Sequence, residues 1–286
     1  MASFESRTFA LRHPTETGRV IRGRVDVPSG ALAVSGRAPC AILLHGFKGF
    51  MDWGFFPDMA RRLASHGVAS VRFNASGSGV GEDLETFTEL GAFERNTLTR
   101  EIEDIESVRE WIDDGGVPEI DPERAVVVGH SRGGGLALVH AAESRAYRGV
   151  VTWASVATFD RFDELEKQMW RRQGFLPVQN ARTGQEMRLG LAALEDLERH
   201  RDRFDVPSAC RRLDAPTLLV HGTADESVPV EESELLFACL DPSRSAFLRI
   251  QGAGHTFGIR HPMTASTGAW EANAQATLAR IQELVG

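Results

Sequence analysis

A serine flanked by glycines stands in a setting that is typical of a catalytic nucleophile. Ser131 lies in the segment G-H-S-R-G (residues 129–133), which follows an apolar run and precedes a helical pattern. The motif G-x-S-x-G turns the chain sharply from a strand into a helix, so its flanking positions must lack bulky side chains. The turn also places the serine at a helix N-terminus, where backbone N–H groups favour a developing anion. The sequence therefore predicts that Ser131 attacks an acyl carbonyl.

A serine hydroxyl needs a base to take its proton, and the base needs an acid to hold its tautomer. Asp225 follows the apolar run Thr217–Val220, and His255 follows the run Ala246–Ile250. Carboxyl ends of parallel strands meet at one edge of a sheet, and the order Ser, Asp, His is expected for this architecture. We prefer Asp225 as the acid because the 30 positions from it to His255 accommodate one helix and one strand. The competing carboxylates are Glu226, Asp160 and Asp163.

Two backbone N–H groups are candidate donors to the oxyanion of an acyl-transfer reaction. The segment H-G-F (residues 45–47) follows the apolar run Cys40–Leu44, which places the Phe47 N–H at the same sheet edge. The Arg132 N–H, directly after the nucleophile, is the second candidate. Side chains expected to contact substrate near this edge are Lys48, Trp53, Met169, Trp170 and Met187.

The elements that must position these residues alternate between strand and helix along the chain. This alternation predicts an α/β fold with about eight mostly parallel strands and helices on both faces. The first two strands are expected to form an antiparallel edge. The predicted strands are Arg7–Leu11, Val20–Val27, Cys40–Leu44, Val68–Phe73, Arg124–Val128, Gly149–Trp153, Thr217–Val220 and Ala246–Ile250. A long helix is predicted over 97–112, and its acidic positions are expected to face solvent.

Residues 1–286 are predicted to form a single domain with one interruption. The segment 158–214 is helical in pattern and highly charged, and it lies between two predicted core strands. A polar helical excursion at this place predicts a small inserted lid over one end of the sheet. The alternative is an extra helical layer that packs elsewhere.

Composition and charge exclude several classes of function. The 32 Lys and Arg against 40 Asp and Glu give a net charge of −8, which argues against nucleic acid or an anionic membrane as partner. No apolar run approaches the ~20 residues of a spanning helix, and no signal-peptide pattern opens the chain. The three cysteines lack a disulfide or zinc spacing. We expect a soluble, cytoplasmic enzyme without metal or cofactor that acts on a small-molecule acyl substrate.

The motifs together resemble the α/β-hydrolase superfamily over roughly residues 20 to 285. Within it, the chain is similar to the cinnamoyl/feruloyl-esterase-like and serine-aminopeptidase-like branch. The motifs are H-G-F at 45–47, V-R-F-N at 71–74 before a glycine-rich loop, G-H-S-R-G-G at 129–134, H-G-T-A-D at 221–225 and G-A-G-H at 252–255. The resemblance implies a hydrolase of carboxylic esters or related acyl compounds that forms an acyl-enzyme without a cofactor.

Other functions are compatible with the same motifs. A peptidase, thioesterase or acyl transferase would use the same three residues, whereas an aminopeptidase would also need carboxylates in the lid to bind the substrate's ammonium. Glu164 and Glu166 are candidates for that pair. A remoter alternative is a non-catalytic binding protein, although such proteins usually lack one of the three catalytic residues. We expect hydrolysis of esters with small or medium acyl groups.

Overall fold

A computed structural model of the chain describes residues 4–29, 36–180 and 183–286. Ten strands occur in these ranges, and they are numbered in chain order. They are β1 (Phe4–Arg12), β2 (Val20–Pro28), β3 (Ala38–Leu44), β4 (Ala69–Asn74), β5 (Ile120–His130), β6 (Gly149–Trp153), β7 (Phe175–Gln179), β8 (Glu186–Gly190), β9 (Thr217–Gly222) and β10 (Ala246–Ile250).

Eight of these strands form one sheet in the order β1-β2-β4-β3-β5-β6-β9-β10. Strand β2 runs antiparallel to its neighbours β1 and β4, and every other neighbouring pair is parallel. The mostly parallel sheet and its antiparallel edge are thus confirmed. The central strands are continuous apolar runs because helices cover both faces of the sheet. Strands β3, β5, β9 and β10 end at the same edge, where the candidate catalytic residues follow them.

Helices pack on both faces of the sheet, as the alternation predicts. In chain order they are α1 (Phe56–Ser65), α2 (Leu90–Glu94), α3 (Leu98–Asp113), α4 (Arg132–Ser144), α5 (Glu164–Gln173), α6 (Leu191–Arg199), α7 (Val206–Arg212), α8 (Val230–Cys239) and α9 (Gly268–Val285). Helices α1 and α9 bury their apolar side chains on one face, and α3, α4, α7 and α8 bury theirs on the other. Within the described ranges, no helix combines the length and the apolar character needed to cross a bilayer.

The segment 158–214 leaves the sheet after β6 and returns to it at β9. It contains helices α5, α6 and α7 and also the antiparallel hairpin β7–β8, which the sequence did not predict. We call α5 and this hairpin the cap. Apolar side chains of the cap form a separate core with residues that follow β3 and β4, including Phe93 on α2, and with Leu194 on α6. The members of this core are Phe50, Val80, Phe87, Phe93, Trp170, Leu176, Met187, Leu189 and Leu194.

Candidate active site

The turn between β5 and α4 holds Ser131 in a strained conformation. Its φ of 57° and ψ of −122° lie outside the regions that residues with a Cβ normally adopt. The Ser131 N–H donates to the carbonyl oxygen of Trp153 at 2.8 Å, which fixes the turn against β6. A Cβ on Gly129 would stand 2.1 Å from the carbonyl oxygen of Gly133, and one on Gly133 would stand 2.5 Å from that of His45. Both flanking positions therefore require glycine.

His255 and Asp225 are joined by a hydrogen bond at the same edge. The Nδ1–H of His255 donates to Oδ2 of Asp225 at 2.8 Å. The other oxygen, Oδ1, accepts from the N–H groups of Ser227 and Val228, each at 2.9 Å. Burial by itself would raise the pKa of Asp225, but hydrogen bonds from His221 and His255 outweigh it and hold that pKa well below its usual range. The carboxylate thus stays ionised and fixes the orientation of the imidazole.

The other three candidate acids are used elsewhere or face solvent. Asp160 forms an ion pair with Lys167 at 2.7 Å. Asp163 caps helix α5, where its side chain accepts from the Glu166 N–H. Glu226 is exposed. Of the four candidate acids, Asp225 is therefore the one that hydrogen-bonds to His255.

His221 also contacts the carboxylate of Asp225, which the sequence did not indicate. Its Nε2–H lies 2.9 Å from the carbonyl oxygen of Val228 and 3.2 Å from Oδ2 of Asp225. Its Nδ1 accepts from the hydroxyl of Ser233 at 2.6 Å. The side chain is fully buried, so these contacts satisfy both ring nitrogens and brace the loop that carries the acid. The spacing of four residues between His221 and Asp225 is the only sequence signal of this contact.

Two adjoining cavities open beside Ser131. The smaller has a volume of about 160 Å³ and the larger about 330 Å³. Ser131, His255, Phe47 and Lys48 line both cavities. Among the described residues no hydrogen bond joins Ser131 to His255, and such bonds commonly tighten when substrate binds. The shared lining places both cavities beside Ser131 and His255.

The two candidate oxyanion donors are linked through their side chains. In the part of the chain that the structure describes, the N–H groups of Phe47 and Arg132 have no protein acceptor. The Arg132 guanidinium lies over the Phe47 ring, 5.3 Å from its centroid. Glu101 binds that guanidinium with both carboxylate oxygens, at 2.6 and 3.2 Å, and Asn96 donates to Glu101 at 2.6 Å. The expectation that the acidic positions of α3 all face solvent was wrong for Glu101, and also for Asp104, which is buried and paired with Arg19 at 2.9 Å.

The candidate substrate-contacting residues divide into two groups. Lys48 lines both cavities, and Trp53 lines the smaller one. Trp170 and Met187 instead pack in the core of the cap, and Met169 lies on α5 with 40% of its surface exposed. Trp170 and Met187 are buried against residues distant in sequence, such as Phe50 and Phe93, so they do not reach the cavities. Lining residues that the sequence analysis missed follow the end of β6, where the strand-end rule would have found them. They are Val156, Thr158, Phe159, Arg161 and Phe162.

His130 is a buried neutral histidine beside the base. Its Nε2–H donates to the carbonyl oxygen of His255 at 3.0 Å. Burial, and then the nearby His255, lower the pKa of His130 from 6.5 to about 3. As the pH falls, the unfolded chain protonates this histidine before the folded chain does. His130 therefore leaves the stability unchanged above pH 6.5 and lowers it progressively between pH 6.5 and about 3.

The His130→Gln substitution is expected to flatten this acid response, because glutamine can donate to the same carbonyl but does not titrate. One proton corresponds to a slope of about 1.4 kcal/mol per pH unit in the free energy of unfolding. Urea unfolding of both proteins across pH 6.5 to 3 measures the difference. Equal slopes for the two proteins would contradict the assignment of a neutral His130.

The fold places the chain among the α/β hydrolases. Est1E from Butyrivibrio proteoclasticus superposes on 97% of this chain and 98% of its own, with a TM-score of 0.69 and 18% identity. A monoacylglycerol lipase from Paleococcus ferrophilus superposes on 99% of both chains, with a TM-score of 0.66 and 16% identity. These likenesses show the fold, and the α/β-hydrolase fold expected from the sequence is confirmed. The class of protein is a serine hydrolase of the α/β-hydrolase superfamily.

The family follows from the sequence match. The pattern of the prolyl oligopeptidase family matches residues 53–270, and the chain belongs to this family. The uncharacterized peptidase YuxL of Bacillus subtilis is 24% identical over 257 residues, which cover 88% of this chain. The match spans 36% of the length of that relative.

Proposed function

We propose that this chain hydrolyses carboxylic esters with small or medium acyl groups through Ser131, His255 and Asp225. The observation that carries the proposal is the 2.8 Å hydrogen bond between His255 and Asp225, made by a histidine that shares both cavities with Ser131. The strained turn at Ser131 supports the proposal, because such strain persists at functional sites where the surrounding structure enforces it.

The proposed reaction proceeds through an acyl-enzyme. His255 donates Nδ1–H to Asp225, so its Nε2 is free to take the proton of Ser131 as the serine oxygen attacks the ester carbonyl. The ionised Asp225 stabilises the imidazolium that results. The imidazolium then gives its proton to the departing alcohol, and the acyl group stays on Ser131. Water, activated by the same histidine, hydrolyses the acyl-enzyme and restores the serine.

The N–H groups of Phe47 and Arg132 are proposed to bind the oxyanion of the tetrahedral intermediate. Both residues line the larger cavity beside Ser131, and neither N–H donates to a protein acceptor among the described residues. Donors that are already oriented lose no reorganisation energy during the reaction, and each typically contributes a factor of ~10²–10³ in rate.

The charge of the cavities favours an ester over the substrate of an aminopeptidase. None of the described residues that line either cavity is an aspartate or a glutamate. Glu166 is occupied at the N-terminus of α5, where its side chain accepts from the Asp163 N–H. The Glu164 side chain is 77% exposed beside Lys167. No carboxylate pair is therefore available there to bind a free substrate ammonium.

A peptidase that does not require a free N-terminus is the second candidate. Membership of the prolyl oligopeptidase family favours it, as does the peptidase name of the Bacillus subtilis relative. Both candidates use the same nucleophile and differ in the bond that is cleaved. Est1E has been solved with ferulic acid bound, and the likeness of this chain to Est1E supports the esterase candidate instead.

A comparison of esters with amides tests the proposal. Purified protein is assayed with p-nitrophenyl acetate and butyrate and with free and N-acylated aminoacyl-naphthylamides, and it is labelled with a fluorophosphonate probe. We expect labelling and a higher kcat/KM for the esters. Faster cleavage of N-acylated amides would favour the peptidase. Absence of both labelling and turnover would refute both and revive the non-catalytic binding protein.

Glu101 is expected to act as a positioning residue for the proposed oxyanion donors. Glu101→Gln should lower kcat about tenfold with little change in KM, because the Arg132 guanidinium loses its ionic partner and no longer holds the Phe47 loop. The control is Glu106→Gln on the same helix, which breaks the 2.6 Å contact with His140 away from the cavities. Steady-state kinetics of both variants, with melting temperatures, distinguish the two effects. An equal loss of kcat in both variants would mean that helix stability alone matters.

A further inference from the structure

Lys48 is a cation at the candidate active site that has no carboxylate partner among the described residues. It is one of two lysines among the 32 basic residues. The other, Lys167, lies 2.7 Å from Asp160 and 3.8 Å from Glu164. Lys48 Nζ instead donates to the backbone carbonyl of Gln179 at 2.7 Å. In the described part of the chain no carboxylate lies within ion-pair distance of it, so two of its three N–H donors stay available.

The other two cations of the cavities are already neutralised by acidic partners. Arg132 is paired with Glu101, and Arg161 donates to Glu232 at 2.7 Å. Because none of the lining residues is acidic, the positive charge of Lys48 is unopposed at the walls of both cavities.

Lys48 lies in the walls of the cavities beside Ser131. The residue follows Phe47 in the chain and has a φ of 56°, and its Nζ lies 5.4 Å from the centroid of the Phe47 ring. It lines both cavities, which adjoin at Ser131. Burial lowers the pKa of the Lys48 ammonium, since part of its hydration shell is replaced by protein. A partly desolvated cation with unused donors binds an anion more strongly than a hydrated one does.

We propose that the substrate carries an anionic group, a carboxylate or an equivalent anion, and that Lys48 binds this group where the two cavities adjoin. The inference rests on the proposed ester hydrolysis and specifies the charge of the ester. The anion can be attached to the acyl part or to the alcohol part, since Lys48 lines both cavities.

A structural role for Lys48 is the competing explanation. The bond to Gln179 joins the Phe47 loop to strand β7 of the cap, and its loss would affect all substrates alike. A role in binding an anion would affect charged substrates selectively. The ratio of kcat/KM between matched charged and neutral esters therefore separates the two explanations.

Two matched pairs of esters test the proposal. Ethyl pentanoate and monoethyl pentanedioate differ by a carboxylate on the acyl part. Butyl pentanoate and 4-(pentanoyloxy)butanoate differ by a carboxylate on the alcohol part. The proteins are the wild type, Lys48→Met, Lys48→Arg and the control Arg188→Met, which removes a positive charge from β8 of the cap, where Arg188 stacks on the Phe175 ring.

We expect the wild type to prefer the charged member of at least one pair. In Lys48→Met this preference should fall about 10- to 100-fold, as expected for loss of a hydrogen bond between charged groups. Lys48→Arg should retain most of the preference, and Arg188→Met should retain all of it. Added salt should weaken hydrolysis of the charged ester and leave the neutral ester unaffected.

The other outcomes overturn the inference in distinguishable ways. Equal hydrolysis of charged and neutral esters by the wild type would overturn the anionic substrate and leave ester hydrolysis intact. An equal loss on all esters in Lys48→Met would assign Lys48 a structural role. A wild type that hydrolyses none of the four esters, although correctly folded, would overturn the proposed function together with this inference.

Discussion

Replacing Ser131 by alanine is expected to lower kcat/KM for ester hydrolysis by about 10⁴-fold or more, because the acyl group then has no oxygen to which it can transfer. The folding stability should stay close to that of the wild type. Alanine keeps the Cβ of serine, so the strain at a φ of 57° is unchanged and no large side chain is lost. The measurements are kinetics with p-nitrophenyl butyrate, fluorophosphonate labelling and thermal unfolding.

The control for this experiment is Ser245→Ala, a substitution of the same kind on the loop before β10. It should keep both turnover and labelling. Turnover by Ser131→Ala at the rate of the wild type would show that another group attacks the ester, and the proposed mechanism would be wrong.

The Asp225→Asn substitution is expected to lower kcat by about 10³- to 10⁴-fold while the loop keeps its shape. The amide oxygen can still accept from the N–H groups of Ser227 and Val228. The amide nitrogen then faces Nδ1 of His255, and as a donor it favours the tautomer that carries the proton on Nε2. That tautomer cannot take a proton from Ser131, so the loss falls on kcat.

The matched control for this substitution is Glu226→Gln, which neutralises the adjacent, exposed acid. Its kcat should stay close to that of the wild type. The opposite pattern, with activity lost in Glu226→Gln and kept in Asp225→Asn, would assign the acid to Glu226.

Most strands could be predicted from sequence because buried parallel strands are apolar over their whole length. The buried strand β6 has the predicted bounds, Gly149–Trp153, and the partly exposed edge strand β10 also has its predicted bounds, Ala246–Ile250. Hairpin β7–β8 escaped prediction because it lies in a highly charged segment and β7 contains Pro177, a residue that disfavours assignment to a strand. Its apolar side chains pack against residues distant in sequence, and no local pattern reveals such contacts.

The candidate site was predictable where it depends on strand ends and unpredictable where it depends on side-chain partners. Asp225 and His255 were proposed because each follows a strand, and the structure brings them within hydrogen-bond distance. The role of Glu101 was not visible, because its partner Arg132 is 31 positions away and an acidic residue on an amphipathic helix ordinarily faces water. The absence of a carboxylate next to Lys48 among the described residues also depends on the fold, so the sequence did not reveal it.

The separate core of the cap has an evolutionary consequence. Trp170 and Met187 pack there with Phe50 and Phe93, apart from the two cores that hold the sheet and the turn at Ser131. Substitutions confined to this core can therefore change the cap without disturbing the packing around the strained serine. The hydrogen bond from Lys48 to Gln179 joins the cap to the loop after β3, so at this point a substitution in one part affects the other.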